Sequence, residues 1–327
     1  MKAVVIESLD GPSSARLTEF PEPTGSHERA GGQRVVVDVR AAGLSVIDNL
    51  QARGVYQYRT PPPYVVGSEV AGVVSEADPA SGFALGDRVA GIVFWGAAAE
   101  KCLIAPDYSV KLPDSVSFAD GAAIYLNYST AWFAYHRAEV RAGQTVLVHG
   151  AAGGVGTAAL DLAASFGARA IAVVSTEAKA EVARRAGAWA VVASGGDWLA
   201  EVRELTEGRG VDVVFDPVGG DRFTDSLRSL RTGGTLVVIG FVGGSIPTVK
   251  VNRLLLRNLR ITGISMDTMD DEYPGTLRMV RDAVQDLLAA GRIHPLVGAT
   301  YPMAHTQEAL QALEERSTIG KVVVDVP

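Results

Sequence analysis

Residues 145–160 read TVLVHGAAGGVGTAAL: an apolar run, a glycine-rich turn and an alanine-rich stretch. Thr145–His149 has the composition of a buried strand, and the residues after Gly156 predict a helix running through Phe166. Gly150, Gly153 and Gly156 recur every third residue between the two. A glycine-rich turn alone is weak evidence, but one that follows a strand and opens a helix fits a dinucleotide site. Glycine lets the backbone come close to a pyrophosphate, and a helix N-terminus offers unpaired N–H groups and partial positive charge. The last glycine lets helix and strand pack closely. Gly150, Ala152, Gly153, Gly154, Val155 and Gly156 are therefore candidate phosphate-binding residues. The competing reading is a tight strand–helix turn that holds nothing.

Downstream the pattern repeats. Strands are predicted at Ala168–Val174, Ala190–Ala193, Val211–Phe215, Thr235–Ile239 and Leu259–Gly263, with helices at Glu177–Ala186, from Asp197 and from Arg222. With Thr145–His149 this makes six apolar strands alternating with helices, the pattern of a doubly wound parallel sheet. An NAD site carries a carboxylate about twenty residues after the glycines, at the end of the second strand. That slot falls near Val174, and Ser175, Thr176 and Lys179 follow. Hydroxyls and a cation suit a 2′-phosphate, so NADPH is the expected cofactor. Glu177 reads as a first-turn helix residue favoured by the dipole. Lys179 has an equal claim to being an exposed helix charge.

The 327 residues suggest two domains. Before Phe118 the chain is β-rich, with runs at Arg34–Val39, Glu69–Val74 and Asp87–Val93, a polar loop at Pro21–Gln33 and little helix. A helix is predicted from Phe118 to His136. After Gly263 come a helix at Leu277–Ala290, a strand near Thr300, a helix at Thr306–Glu315 and a strand at Lys321–Val326; Pro61–Tyr64 and Met266–Tyr273 read as loops. This tail is too short for a domain and is expected to rejoin the front, giving domains at 1–122 with 265–327 and at 123–264. The net charge of -7 argues against nucleic acid or an anionic membrane as the main partner. The single Cys102 excludes an intrachain disulfide and a multi-cysteine zinc cluster. The opening MKAVVIE is not a signal peptide, no run is long enough to span a bilayer, and a cytoplasmic protein is expected.

Several segments together carry a family resemblance: Ala41–Asp48 (AAGLSVID), Arg53–Tyr56 (RGVY), Pro63–Gly72 (PYVVGSEVAG), Gly86–Val89, Asn127–Ala131 (NYSTA), His149–Gly156 and Asp216–Gly220 (DPVGG). The chain resembles the medium-chain dehydrogenase/reductase superfamily, and within it the zinc-independent quinone oxidoreductase group. The resemblance implies a β-rich GroES-like catalytic domain plus a Rossmann domain. Zinc-dependent relatives carry Cys in the slot of Ser45 and His in the slot of Ser68; both are absent although Glu69 remains, and a Ser hydroxyl is a poor zinc ligand. No metal is therefore expected. The zinc-free group usually has Asn where this chain has Ser45. Asp48 matches the group's Asp, either in the site or capping a turn.

By resemblance, Tyr56 either donates a proton or hydrogen bond to the acceptor or lines its pocket. Thr130 matches a Thr near the nicotinamide carboxamide, and Asn127 is a candidate orienting residue; the same stretch could simply start a helix. Val218 in the DPVGG turn and the strand end Ile239, Gly240 and Phe241 are implied to meet the cofactor, where open α/β sheets bind ligands. Asp216 is expected to fix the DPVGG turn rather than touch phosphate. Arg316 reaches the adenosine phosphate in the resembling tail, or is a surface Arg. The implied activity is NADPH-dependent hydride transfer to a quinone; the alternatives are reduction of an enone, enal or enoyl thioester, and a non-catalytic NADPH-binding protein. The resemblance also implies a homodimer joined at the sheet edge near Leu259–Gly263.

Overall fold

The β-branched runs of the front pair as antiparallel strands, because alternate residues bury one face. A computed structural model describes residues 1–327, and the chain divides into two compact units, 1–126 with 277–291 and 295–327, and 127–276 with 292–294. The first boundary falls four residues after 122/123 and the second twelve residues after 264/265, and residues 292–294 also belong to the second unit.

The first unit begins with β1 (Lys2–Ile6), β2 (Ala15–Glu19), β3 (Val35–Leu44), α1 (Val46–Ala52), β4 (Tyr64–Val65), β5 (Glu69–Ala77), β6 (Arg88–Ile92), β7 (Lys101–Leu103), β8 (Ser109–Lys111) and α2 (Phe118–Gly121). The second contains α3 (Tyr125–Arg137), which starts just before the boundary, then β9 (Thr145–His149), α4 (Gly154–Ser165), β10 (Arg169–Val174), α5 (Glu177–Arg185), β11 (Ala190–Ala193), α6 (Trp198–Leu205), β12 (Val211–Asp216), α7 (Phe223–Ser229), β13 (Leu230–Val238), α8 (Asn252–Arg257), β14 (Arg260–Gly263) and α9 (Met266–Glu272). The tail supplies α10 (Thr276–Ala289), β15 (Val297–Pro302), α11 (Thr306–Glu314) and β16 (Lys321–Asp325).

In the first unit a seven-stranded sheet runs β15-β16-β3-β5-β6-β8, with β7 also on β3, and a three-stranded sheet runs β2-β1-β4. The tail strand β16 pairs antiparallel with β3, Val323 opposite Gly43. The core of this unit includes Val37, Leu44, Val70, Ile104, Leu310 and Val324. In the second unit six parallel strands run β11-β10-β9-β12-β13-β14. Leu147, Ile171, Val214 and Leu236 are fully buried between the helix layers, each contributing roughly 1.5–3 kcal/mol of hydrophobic stabilisation. This β-rich GroES-like unit and parallel Rossmann-like unit are the architecture expected from the sequence.

Three local readings are corrected. The front holds a helix, α1, closed by a Ser45–Asp48 capping box. The predicted helix from Phe118 to His136 is two, separated at Ala122–Ile124. Met266–Glu272 is helical rather than a loop, with Ser265 at its N-cap. No helix is long and apolar enough to cross a membrane.

Candidate functional site

The glycine turn is built as tightly as its residues suggest. Gly150 adopts φ +58, a left-handed conformation that favours glycine. Gly153 N donates to Gly150 O (3.0 Å) and Thr157 N to Gly153 O (2.9 Å). The N-cap of α4 is Gly153, so no side chain occupies the helix N-terminus, and its first turn holds no acidic residue. The first N–H groups therefore have no intrahelical acceptor and point into a position favourable to an anion. At Gly156 an added Cβ would lie 2.2 Å from Gly150 O and 2.7 Å from Ala151 Cα. At Gly154 it would lie 3.0 Å from the Asn127 side chain, which places Asn127 against the turn. Thr130 lies one helical step further along α3, half-buried.

Two further turns meet this one. Asp216 Oδ1 accepts from Val218 N (2.8 Å) and Gly219 N (2.9 Å), which fixes the DPVGG turn. Ile239 N donates to Asp216 O (2.9 Å) and Gly243 N to Val218 O (2.8 Å), tying the end of β13 to that turn. A Cβ on Gly150 would touch Pro217 and Val218, both at 3.4 Å, and one on Gly219 would meet the Phe241 ring at 2.9 Å. Val218, Ile239, Gly240 and Phe241 thus gather with Gly150 at the C-terminal ends of β9, β12 and β13. Beneath them His149 is fully buried, its Nε2 2.8 Å from Ser226 Oγ. At the neighbouring end of β10, Ser175 and Thr176 are exposed. Thr176 caps α5 by accepting from Lys179 N (3.3 Å). Glu177 is a first-turn residue, paired with Arg184 at 2.7 Å.

In the first unit Ser45 and Asp48 belong to a buried polar cluster. Asp48 is fully buried; its Oδ2 accepts from Ser45 N (2.7 Å), Ser45 Oγ (3.2 Å) and Ser68 Oγ (2.9 Å), and its Oδ1 from Gly67 N (3.2 Å). Ser45 Oγ and Ser68 Oγ are 3.4 Å apart. Glu69, also buried, pairs with Lys321 Nζ and accepts from Leu126 N (2.8 Å). Burial raises both carboxyls above the ordinary range, opposed at Asp48 mainly by the Ser45 N–H and at Glu69 mainly by Lys321. Lys321 was not among the residues singled out from sequence; the only hint is that a buried carboxylate needs a cation. Tyr56 lies outside this cluster. Its ring meets Tyr58 edge-on at 5.7 Å, Tyr58 meets Phe94 at 5.5 Å, and Phe94 meets Tyr108 at 5.5 Å. Arg316 follows α11 in the same unit, exposed and with φ +56.

Two family profiles match, "Alcohol dehydrogenase GroES-like domain" over residues 31–124 and "Zinc-binding dehydrogenase" over residues 154–282. Quinone oxidoreductase-like protein 2 of Rattus norvegicus is 36% identical over 321 residues, covering 96% of this chain and 92% of the rat protein. The chain belongs to the medium-chain dehydrogenase/reductase superfamily, in its quinone oxidoreductase group. A probable oxidoreductase from Mycobacterium abscessus superposes with a TM-score of 0.88 at 39% identity, covering 100% of this chain and 99% of that one. The quinone oxidoreductase of Thermus thermophilus, whose complex with NADPH is also solved, gives 0.84 at 33% identity, covering 100% of both chains.

Family membership raises the question of zinc, and the donor set does not fit it. Where zinc-dependent members carry thiolate and imidazole, this chain has two hydroxyls already bonded to Asp48. No three His, Cys, Asp or Glu side chains lie together so as to hold a metal ion. A dinucleotide does fit: the α4 N-terminus is uncapped, free of acidic side chains in its first turn, and flanked by backbone turns that side chains at Gly150 or Gly156 would crowd.

Proposed function

We propose that the protein is an NADPH-dependent, zinc-independent reductase that transfers hydride to a quinone. The observation that carries this reading is the Ser45–Ser68–Asp48 cluster. Its hydroxyls answer to the buried carboxylate, so the acceptor must be activated by hydrogen bonding rather than by a Lewis acid. Preference for NADPH rests on Ser175, Thr176 and Lys179 following Val174, with Glu177 engaged by Arg184. The NADPH complex of the Thermus relative supports the same choice.

When bound, the reduced nicotinamide supplies the hydride. Gly150, Ala152, Gly153, Gly154, Val155 and Gly156 hold the pyrophosphate through backbone N–H groups, while Val218, Ile239, Gly240 and Phe241 line the nicotinamide side. Asn127 and Thr130 orient the cofactor, and Arg316 pairs with its adenosine phosphate. Tyr56 donates a hydrogen bond, then a proton, to the carbonyl oxygen as negative charge develops there. Hydride and this one proton together complete the hydroquinone, and a proton from solvent restores the Tyr56 phenol. Ser45 and Asp48 shape the pocket wall through α1.

We further infer a homodimer joined along β14, the edge strand of the parallel sheet. Leu255 and Leu256 beside it are 78% and 76% exposed, and an uncovered apolar edge is a liability. Sedimentation showing only monomer at micromolar concentration would remove that element.

The test of the activity is NADPH and NADH oxidation with three acceptors: a naphthoquinone, an α,β-unsaturated ketone and a crotonyl thioester. The quinone is expected to be the best acceptor. A better thioester or enone would move the assignment to a double-bond reductase, and tight NADPH binding with no turnover would make the protein a sensor.

A further inference from the structure

The strands of the parallel sheet all start at the end opposite the glycine turn, and that end is basic. Arg141 precedes β9, Arg209 precedes β12, Arg231 lies near the start of β13 and Arg260 opens β14. Arg141, Arg231 and Arg260 line a cavity of about 210 Å³ together with Glu139 and Asp212. Asp212 is buried and fully engaged: its Oδ1 accepts from Arg231 Nε, and its Oδ2 from Thr145 N (2.8 Å) and Arg209 Nη2 (2.9 Å). Burial pushes this carboxyl up, but Arg231, the Thr145 N–H and Arg209 outweigh it and hold the group below the ordinary range, so it stays ionised. Glu139 is exposed; it accepts from Arg141 Nη2 (3.2 Å), while Arg260 Nη1 stands 3.8 Å away. Four guanidiniums thus share two carboxylates, a local surplus of positive charge in a chain whose net charge is -7.

These pairs do not use up the donors around the cavity. Arg231 is half-buried and held in place, with Nε on Asp212 and Nη1 donating to Thr232 O (2.6 Å), which leaves Nη2 without a protein acceptor. Arg260 gives its Nε to Thr235 Oγ1 (3.1 Å) and stands beyond hydrogen-bond distance of Glu139. Arg141 engages Glu139 through Nη2 alone. Spare N–H groups on three guanidiniums around one cavity suit a multiply charged oxyanion, because the guanidinium fork matches phosphate oxygens in pairs. The wall carries no aromatic ring on which a base could stack, so the fit is to a phosphate group rather than to a nucleoside. We propose that this cavity is an anion site that takes a phosphate or pyrophosphate group, separate from the glycine turn. Pairing along β14 would leave it in place, since the Arg260 guanidinium is turned to Thr235 and Glu139 and takes no part in backbone pairing.

The test titrates the full chain with inorganic pyrophosphate and with inorganic phosphate at constant ionic strength, using chloride as the control. Calorimetry gives the dissociation constants, and thermal melting is followed in parallel. Pyrophosphate at a hundredfold excess over its dissociation constant should raise the melting temperature by roughly 5–10 °C. The double variant Arg141→Gln, Arg260→Gln should bind pyrophosphate roughly tenfold more weakly. Without ligand it should melt close to the parent, since both arginines are exposed and their ion pairs weak. Glu139→Gln removes a competing carboxylate and should bind roughly threefold tighter, a gain that a merely structural ion pair would not give. These substitutions lie at the far end of the sheet from the glycine turn, so they separate the two sites whether or not NADPH is present. No saturable binding by the parent, or a response equal to that of chloride, overturns the proposal. So does pyrophosphate binding that neither the double variant nor Glu139→Gln alters, because the anion would then sit elsewhere.

Discussion

Replacing Gly156 by alanine tests whether the glycine turn is set by packing within the protein or by the ligand. The added methyl would sit 2.2 Å from Gly150 O and 2.7 Å from Ala151 Cα, both backbone atoms, so no side-chain rotation relieves the clash. Overpacking a well-filled site costs about 1–3 kcal/mol, and a contact this short against backbone belongs at the upper end. At roughly 2–4 °C per kcal/mol for a unit of this size, the melting temperature should fall by about 6–12 °C. Gly153→Ala is the contrast: its methyl meets only Gly150 O, at 3.5 Å, an ordinary contact. That variant should melt within about 4 °C of the parent, since an N-cap exchange is worth about 1 kcal/mol or less. Because Gly153 is exposed at the helix N-terminus, where the proposed function places the pyrophosphate, NADPH affinity should drop several-fold. Differential scanning fluorimetry and cofactor fluorescence titration read the two effects separately. If Gly156→Ala melts with the parent and binds NADPH equally well, the close approach of α4 to β9 is not what the glycine is for.

Other outcomes follow from the buried charges and the β10 terminus. Lys321→Met leaves Glu69 buried without its cation and should cost about 3–5 kcal/mol in denaturant unfolding, while Lys321→Met with Glu69→Gln should recover most of it. Burial holds His149 down at about 4 against 6.5 unfolded, with Asp216 partly opposing. The unfolded chain therefore takes up the proton first. Stability from this group is full above pH 6.5 and is lost as pH falls toward 4, by roughly 3 kcal/mol; His149→Gln should flatten that part of the pH–stability curve. Lys179→Ala should weaken NADPH about fivefold and leave NADH nearly unchanged, as expected for one charge-assisted contact from a half-buried lysine; equal loss for both would place Lys179 outside the 2′-phosphate site.

The parts legible in the sequence were those with local causes. The clash at Gly156 depends on residues within one turn, and the six parallel strands announce themselves as apolar runs such as Val146–Val148 and Val213–Phe215. Helix α1 was missed because only seven residues, VIDNLQA, follow a strand ending in AAGL; its Ser45–Asp48 box uses Asp where Glu is usual. Met266–Glu272 was missed because MDTMDDE shows no apolar period. The split at Ala122–Ile124 left no trace because GAAIYL reads as continuous helix. The pairing of Glu69 with Lys321 was out of reach for another reason: the residues are 252 positions apart, and only the return of β16 onto β3 brings them together. The same holds for His149 and Ser226, 77 positions apart.

The most direct test of the central claim is the rate of NADPH oxidation by 1,4-naphthoquinone, using protein stripped with chelator and checked for metal content. The account predicts full activity without metal, with NADPH clearly preferred to NADH. Activity that disappears on stripping and returns with zinc would contradict it, because the hydroxyls of Ser45 and Ser68 and the saturated carboxylate of Asp48 would then have to hold an ion that their chemistry does not favour.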